Sequence, residues 1–121
     1  MTTPYSIEAA LVEWLGDLGY TASTNVPAHR PDRFVTVERE SGGVDNLVDH
    51  PTVTVQTWAL SRDEAETDGR DIRLLAETAT REGTLPEGVY AMTANAGPYS
   101  FPDEDSDMPR YQTLYDITCA L

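Results

Sequence analysis

The sequence predicts an α+β fold with a mainly antiparallel sheet of about four strands and two helices. Three observations predict it. Apolar residues recur at helical spacing in two separate stretches, alternating β-branched runs lie between and after them, and glycine- and proline-bearing breaks part the runs. With 121 residues and 40% hydrophobic content, the chain reads as one domain over residues 1–121 with one modest core.

Taken in order, Ile7, Leu11, Trp14, Leu15 and Leu18 line one helical face, which predicts an amphipathic helix over residues 4–18. Thr3 is the expected N-cap, with Pro4 at the first helical position and Gly19 as the left-handed residue after the last turn. Residues 20–26 suit a short edge strand, and Pro27 and Pro31 prevent a regular element through residues 27–32. A strand follows over residues 33–38, with Val35 and Val37 on one face and Phe34, Thr36 and Glu38 on the other. The next strand, residues 52–59, puts Val53, Val55, Thr57 and Ala59 opposite Thr52, Thr54, Gln56 and Trp58. These two are expected to pair as an antiparallel hairpin, with residues 40–51 between them as a long contact loop.

Ser61 and Glu64 form a capping box, and Ala65, Ile72, Leu75, Ala76 and Ala79 continue as a helical stripe, so a second helix is expected over residues 62–81. Gly69 inside it costs about 1 kcal/mol relative to alanine, which predicts fraying or bending of the first turns. Gly83 and Pro86 close the element. A third strand is expected over residues 88–94 and a fourth over 110–120, the latter with Tyr111, Thr113, Tyr115, Ile117 and Cys119 on one face. Residues 95–109 read as a second long loop, rich in proline and acid.

The chain carries 21 acidic residues against 8 basic ones, all arginine, for a formal charge of -13. Such a surface repels phosphate backbones, so sequence-specific or general grip on nucleic acid is not expected. The N-terminal residues have no basic region followed by an apolar run, and no window is long and apolar enough to span a membrane, so a soluble, unexported protein is expected. Cys119 is the single cysteine, which rules out an internal disulfide and fits a buried structural thiol.

Chemical motifs are few. Asp103, Asp105 and Asp107 begin like a calcium loop, but Met108 and Leu114 stand where its glycine and closing glutamate belong. His29 and His50 lack zinc spacing. Neither a nucleophile elbow nor a phosphate-binding glycine loop occurs, so no catalytic, cofactor or metal residues are expected and the chain does not read as an enzyme. Trp58, on the strand face opposite the valines, and Tyr99 and Phe101, in the second loop, are the aromatic candidates for an interface. Arg33, Arg39 and Arg110 are its basic candidates, able to pair with acidic neighbours across a subunit boundary.

The order of these elements resembles one family. An N-terminal amphipathic helix, Arg33-Phe34-Val35-Thr36-Val37-Glu38-Arg39 with Gly42-Gly43 behind it, Asp49-His50-Pro51 leading into Thr52-Val53-Thr54-Val55-Gln56-Thr57-Trp58-Ala59, an alanine-rich helix and a closing Pro109-Arg110-Tyr111-Gln112-Thr113 strand look like the tail-terminator (minor tail) proteins of long-tailed phages and prophages. The resemblance covers nearly the whole chain. It implies a curved sheet flanked by helices, and a virion protein that closes into a homo-hexameric ring. That ring would cap the tail-tube protein, end its polymerisation and meet the head-completion protein, with assembly in the host cytoplasm and a monomer when dilute. Two alternatives stand beside it: a head-completion or neck protein, and an acidic binding module that mimics nucleic acid.

Overall fold

The structure is a computed structural model that describes residues 4–121. It is an α+β fold. A five-stranded sheet runs in the order β1-β2-β3-β5-β4, with β1 parallel to β2 and every other pair antiparallel. The elements are α1 (Ile7–Asp17), β1 (Ala22–Ser23), β2 (Arg33–Asp45), β3 (Val48–Ala59), α2 (Arg62–Glu82), β4 (Val89–Ser100) and β5 (Arg110–Cys119). The fifth strand is the two-residue β1, which falls within the short edge strand expected over residues 20–26.

Both helices lie on one face of the sheet. Ile7, Leu11 and Leu15 of α1 and Ile72 and Ala76 of α2 pack on Val35, Val37, Val53, Val55, Met92, Tyr115 and Ile117. The valines and Tyr115 project to that face because strand side chains alternate. Cys119 is buried at the end of the same core, and burial pushes its thiol pKa up.

Helix α1 starts later than residue spacing predicts. Ser6 is the N-cap and accepts the Ala9 N–H at 3.2 Å, so the first helical residue is Ile7. The expected cap, Thr3, lies outside the described residues. Pro4 precedes the cap, and Tyr5 ties the lead-in to the far end of the chain. Its hydroxyl donates to the Glu87 carbonyl at 2.7 Å, and its N–H donates to the Leu121 carbonyl at 3.3 Å.

The loop expected over residues 40–51 is corrected: it is strand. β2 and β3 continue toward each other past a bulge between Arg39 and Ser41 and meet in a two-residue turn, Asn46-Leu47, with φ of 48° and 69°. Positive φ at both central residues is the type I′ geometry that matches strand twist. Gly42 makes the continuation possible. At its φ of 117° a Cβ would lie 2.2 Å from the His50 carbonyl oxygen and 2.5 Å from Pro51 Cα. The second expected loop is shorter for a related reason, since β4 runs on to Ser100 through bulges and only residues 101–109 leave the sheet.

Helix α2 is continuous across Gly69. The capping box is present, with the Glu64 N–H donating to Ser61 Oγ at 3.2 Å, and Gly83 closes the helix in the left-handed conformation. The fraying expected at Gly69 is absent because the residue is buried against β4: a Cβ there would stand 2.8 Å from Pro98 Cβ. No helix among the described residues is long and apolar enough to cross a membrane.

Two stability changes follow. Gly69→Ala gains helix propensity of about 1 kcal/mol but overpacks the Pro98 contact at a cost of about 1–3 kcal/mol, so a net loss is expected in urea unfolding. Tyr115 is fully buried, and its hydroxyl has no hydrogen-bond partner among the described residues. Tyr115→Phe therefore removes an unpaired polar atom, and its melting temperature should match or exceed that of the parent chain.

Candidate interaction surface

The face of the sheet away from the helices is polar and built in rows. Thr36, Gln56, Gln112 and Tyr99 stand directly across β2, β3, β5 and β4 from one another. They form one hydrogen-bonded ladder. Thr36 Oγ1 donates to Gln56 Oε1 at 3.1 Å, Gln56 Nε2 to Gln112 Oε1 at 2.7 Å, and Gln112 Nε2 to the Tyr99 hydroxyl at 2.6 Å. A ladder of this kind satisfies the amides against one another and fixes the side chains in a flat array.

The adjacent row carries the aromatic residues. Phe34 stacks on Trp58 with centroids 5.2 Å apart, and Trp58 Nε1 donates to Thr36 Oγ1 at 3.0 Å. The guanidinium groups of Arg30 and Arg110 lie over the indole at 5.3 and 4.8 Å, and Arg110 also lies 4.7 Å from the Phe101 ring. Phe101 meets Tyr99 edge-on at 6.3 Å. Such cation–π contacts hold the two flanking loops onto the sheet.

Four of the six candidate residues, Trp58, Tyr99, Phe101 and Arg110, are thus brought together. Their roles differ from those expected. Trp58 is only 1% exposed, so it is corrected from surface anchor to the buried centre of the cluster, while Phe101 remains 43% exposed. Arg110 is committed within the chain, donating to the Phe101 carbonyl at 2.7 Å and the Pro102 carbonyl at 3.3 Å. The acidic loop is likewise organised: Asp103 accepts from Ser106 Oγ and from Arg30 at 3.4 Å, and those bonds, Ser106's first, hold its carboxyl below the usual range.

The other two candidates sit apart. Arg33 makes a two-pronged pair with the buried Asp68 of α2, both bonds 2.7 Å, and a third bond to Glu64 at 3.0 Å. Arg39 grips Asp49 through two hydrogen bonds, one of them 2.8 Å, and so braces the β2–β3 hairpin where it passes the bulge. Both arginines therefore pair within the chain, where the sequence suggested pairing across a subunit boundary. The hydrogen bond from Arg39 lowers the Asp49 pKa.

Past that brace, the hairpin end carries exposed apolar side chains, Val44 at 65% and Leu47 at 83%. The sequence reading missed this pair because it assigned the segment to a loop. It also missed Arg30, Gln112, Glu8 and Asp68, whose partners lie far away in sequence, and the stacking of Phe34 on Trp58, although alternation had placed both on one face. For Thr36 and Gln56 a signal was present, since alternation had placed them on the face away from the valines. Among the described residues, no group of three or more histidine, cysteine, aspartate or glutamate side chains is arranged to hold a metal ion.

No protein-family model matches the chain, and no curated protein matches it.

The Arg39–Asp49 pair has a definite pH signature. Because the folded-state pKa of Asp49 is depressed, the pair contributes its full stability above the ordinary carboxylate value of about 3.9, and the contribution is lost as pH falls through the folded value. Melting temperature measured from about pH 6 down to pH 2 should therefore fall less steeply in Asp49→Asn than in the parent chain. Equal slopes would show that the pair contributes nothing.

Proposed function

We propose that the protein is a structural subunit of a phage-type tail, acting as a tail terminator. Copies close into a six-membered ring on the end of the tail tube, stop its growth and present a new face to the head-completion protein. The observation that carries this reading is the exposed apolar hairpin end, Val44 and Leu47, on a sheet that has helices on one face only. Leu60, Leu74 and Tyr90 are exposed as well, but Val44 and Leu47 sit together at the tip of a projecting hairpin, the kind of feature that a permanent neighbour covers. The ladder and the aromatic cluster stiffen the helix-free face from within, since Thr36, Gln112, Phe34 and Trp58 are buried, and a ring needs one heterologous contact repeated until it closes. The element order that prompted the resemblance supports the same reading. Assembly in the host cytoplasm and residence in the tail follow from it, as does a neck position if the ring meets the head connector first.

A second reading is favoured by the way arginine is used. Arg30, Arg33, Arg39, Arg70 and Arg73 each pair with a carboxylate of this chain, which leaves the acidic excess to dominate the surface. An acidic module that mimics nucleic acid would exploit that surface as a monomer, binding a basic protein with strong salt dependence.

Adding the purified protein to polymerising cognate tail tubes separates the two. Termination predicts tubes of limited length with an annular density at one end by electron microscopy. Tubes that lengthen without limit in its presence would overturn that proposal.

A further inference from the structure

Side chains from the helices bond to both edges of the sheet's body. On the β2 side, β1 pairs with Val35 and Thr36, and Glu8 of α1 accepts the Arg39 N–H at 3.0 Å. On the β4 side, Thr80 Oγ1 donates to the Met92 carbonyl at 3.0 Å and accepts the Met92 N–H at 3.1 Å, while Arg73 donates to the Gly97 carbonyl at 2.6 Å. Pro98, next along, has no N–H to offer.

That closure ends at the bulge. From Ser41 to Asp45, β2 has β3 on one side and no strand on the other. The two-residue turn makes Asp45 and Val48 a hydrogen-bonded pair, so alternation directs the N–H and C=O groups of Gly42 and Val44 away from β3. Among the described residues, the one side chain that reaches them is Arg39, at 3.4 Å from the Gly42 carbonyl. Gly43 lies between them with open space where a Cβ would stand. The result is a bare edge about 10 Å long.

The side chains beside this edge sort by face. Glu40 accepts from Thr54 Oγ1 at 3.1 Å on the helix-free face, where alternation also places Asp45, while Val44 lies on the opposite face with Leu47 close by in the turn. Bare edges are usually guarded by lysine or proline. Here no lysine or proline stands on the edge strand itself; Glu40, Asp45, Val44 and Leu47 border it, and Arg39, held by Asp49, reaches only its Gly42 end.

We propose that the Gly42–Val44 edge is a strand-addition site for an extended segment of another protein in which basic and apolar residues alternate. Main-chain bonds form along Gly42 and Val44, the basic residues meet Glu40 and Asp45, and the apolar ones meet Val44 and Leu47. A second copy of this chain does not supply that chemistry, because its arginines are largely held in internal pairs and its surface is acidic. The site takes up the same hairpin end, Val44 and Leu47, that carries the proposed function, and peptide binding tests it separately from tube length.

The test uses the intact chain and a fluorescein-labelled decapeptide of alternating lysine and valine, followed by anisotropy and by amide chemical shifts. Shift changes centred on residues 42–45 are expected. Val44→Pro removes an outward N–H without removing a ladder bond and should weaken binding at least about tenfold. Glu40→Gln with Asp45→Asn leaves the backbone intact, so it keeps the test informative if Val44→Pro does not fold; it should weaken binding and flatten the salt dependence. Absence of binding, or shift changes scattered over the acidic surface and indifferent to both variants, would overturn the proposal. So would a concentration-dependent dimer abolished by Val44→Pro, which would assign the edge to a second copy.

Discussion

A β-sheet with exposed edges pairs with whatever strand it meets, and the architecture of this protein follows from how its two helices limit that tendency. Each helix covers the core face and also sends a polar side chain to a strand edge: Glu8 from α1 to Arg39, Thr80 and Arg73 from α2 to Met92 and Gly97. These bonds satisfy backbone groups that would otherwise recruit a neighbour. They also fix where each helix sits along its strand, coupling the packing of Leu11, Leu15, Ile72 and Ala76 to the register of the sheet. Among the described residues, no helix side chain bonds to the end of the β2–β3 hairpin, where Arg39 alone reaches the edge.

The two faces of the sheet are held by different physics. The helix side is apolar, and its stability comes from removing valine, leucine and isoleucine from water. The other side relies on hydroxyl and amide side chains hydrogen-bonded across four strands, and on the indole of Trp58, which Phe34 and two guanidinium groups enclose. Arginine serves as a structural clamp on both sides. Arg33 joins β2 to α2, Arg39 braces the hairpin, and Arg30 and Arg110 seat the acidic loop.

Much of this was legible in the sequence. The valine alternation of Val35, Val37, Val53 and Val55, the stripe of Ile7, Leu11 and Leu15, and the Ser61–Glu64 box each reported a local rule that the fold obeys. The hairpin end was not legible. Gly42, Gly43 and Pro51 are turn-forming residues by composition, and Leu47 gives no hint of a positive φ, so a continuous strand pair read as a loop. It becomes strand because Gly42 accepts the close approach of His50 and Pro51. Asp68 was missed and Trp58 misread for another reason. Burial of Asp68 depends on Arg33, 35 residues away, and burial of Trp58 depends on Phe34 of β2, Arg110 of β5 and Arg30 from a loop closing round it.

Helix-borne closure of the sheet edges is the claim on which the account turns, and amide hydrogen exchange resolved by residue tests it most directly. The Arg39 and Met92 amides face outward from edge strands, yet each has a side-chain acceptor, while the Val44 amide faces outward without one. Slow exchange at Arg39 and Met92 beside fast exchange at Val44 is the expected result. Exchange at Met92 and Arg39 as fast as at Val44 would contradict it, because the edges would then be as open in the body of the sheet as at its end.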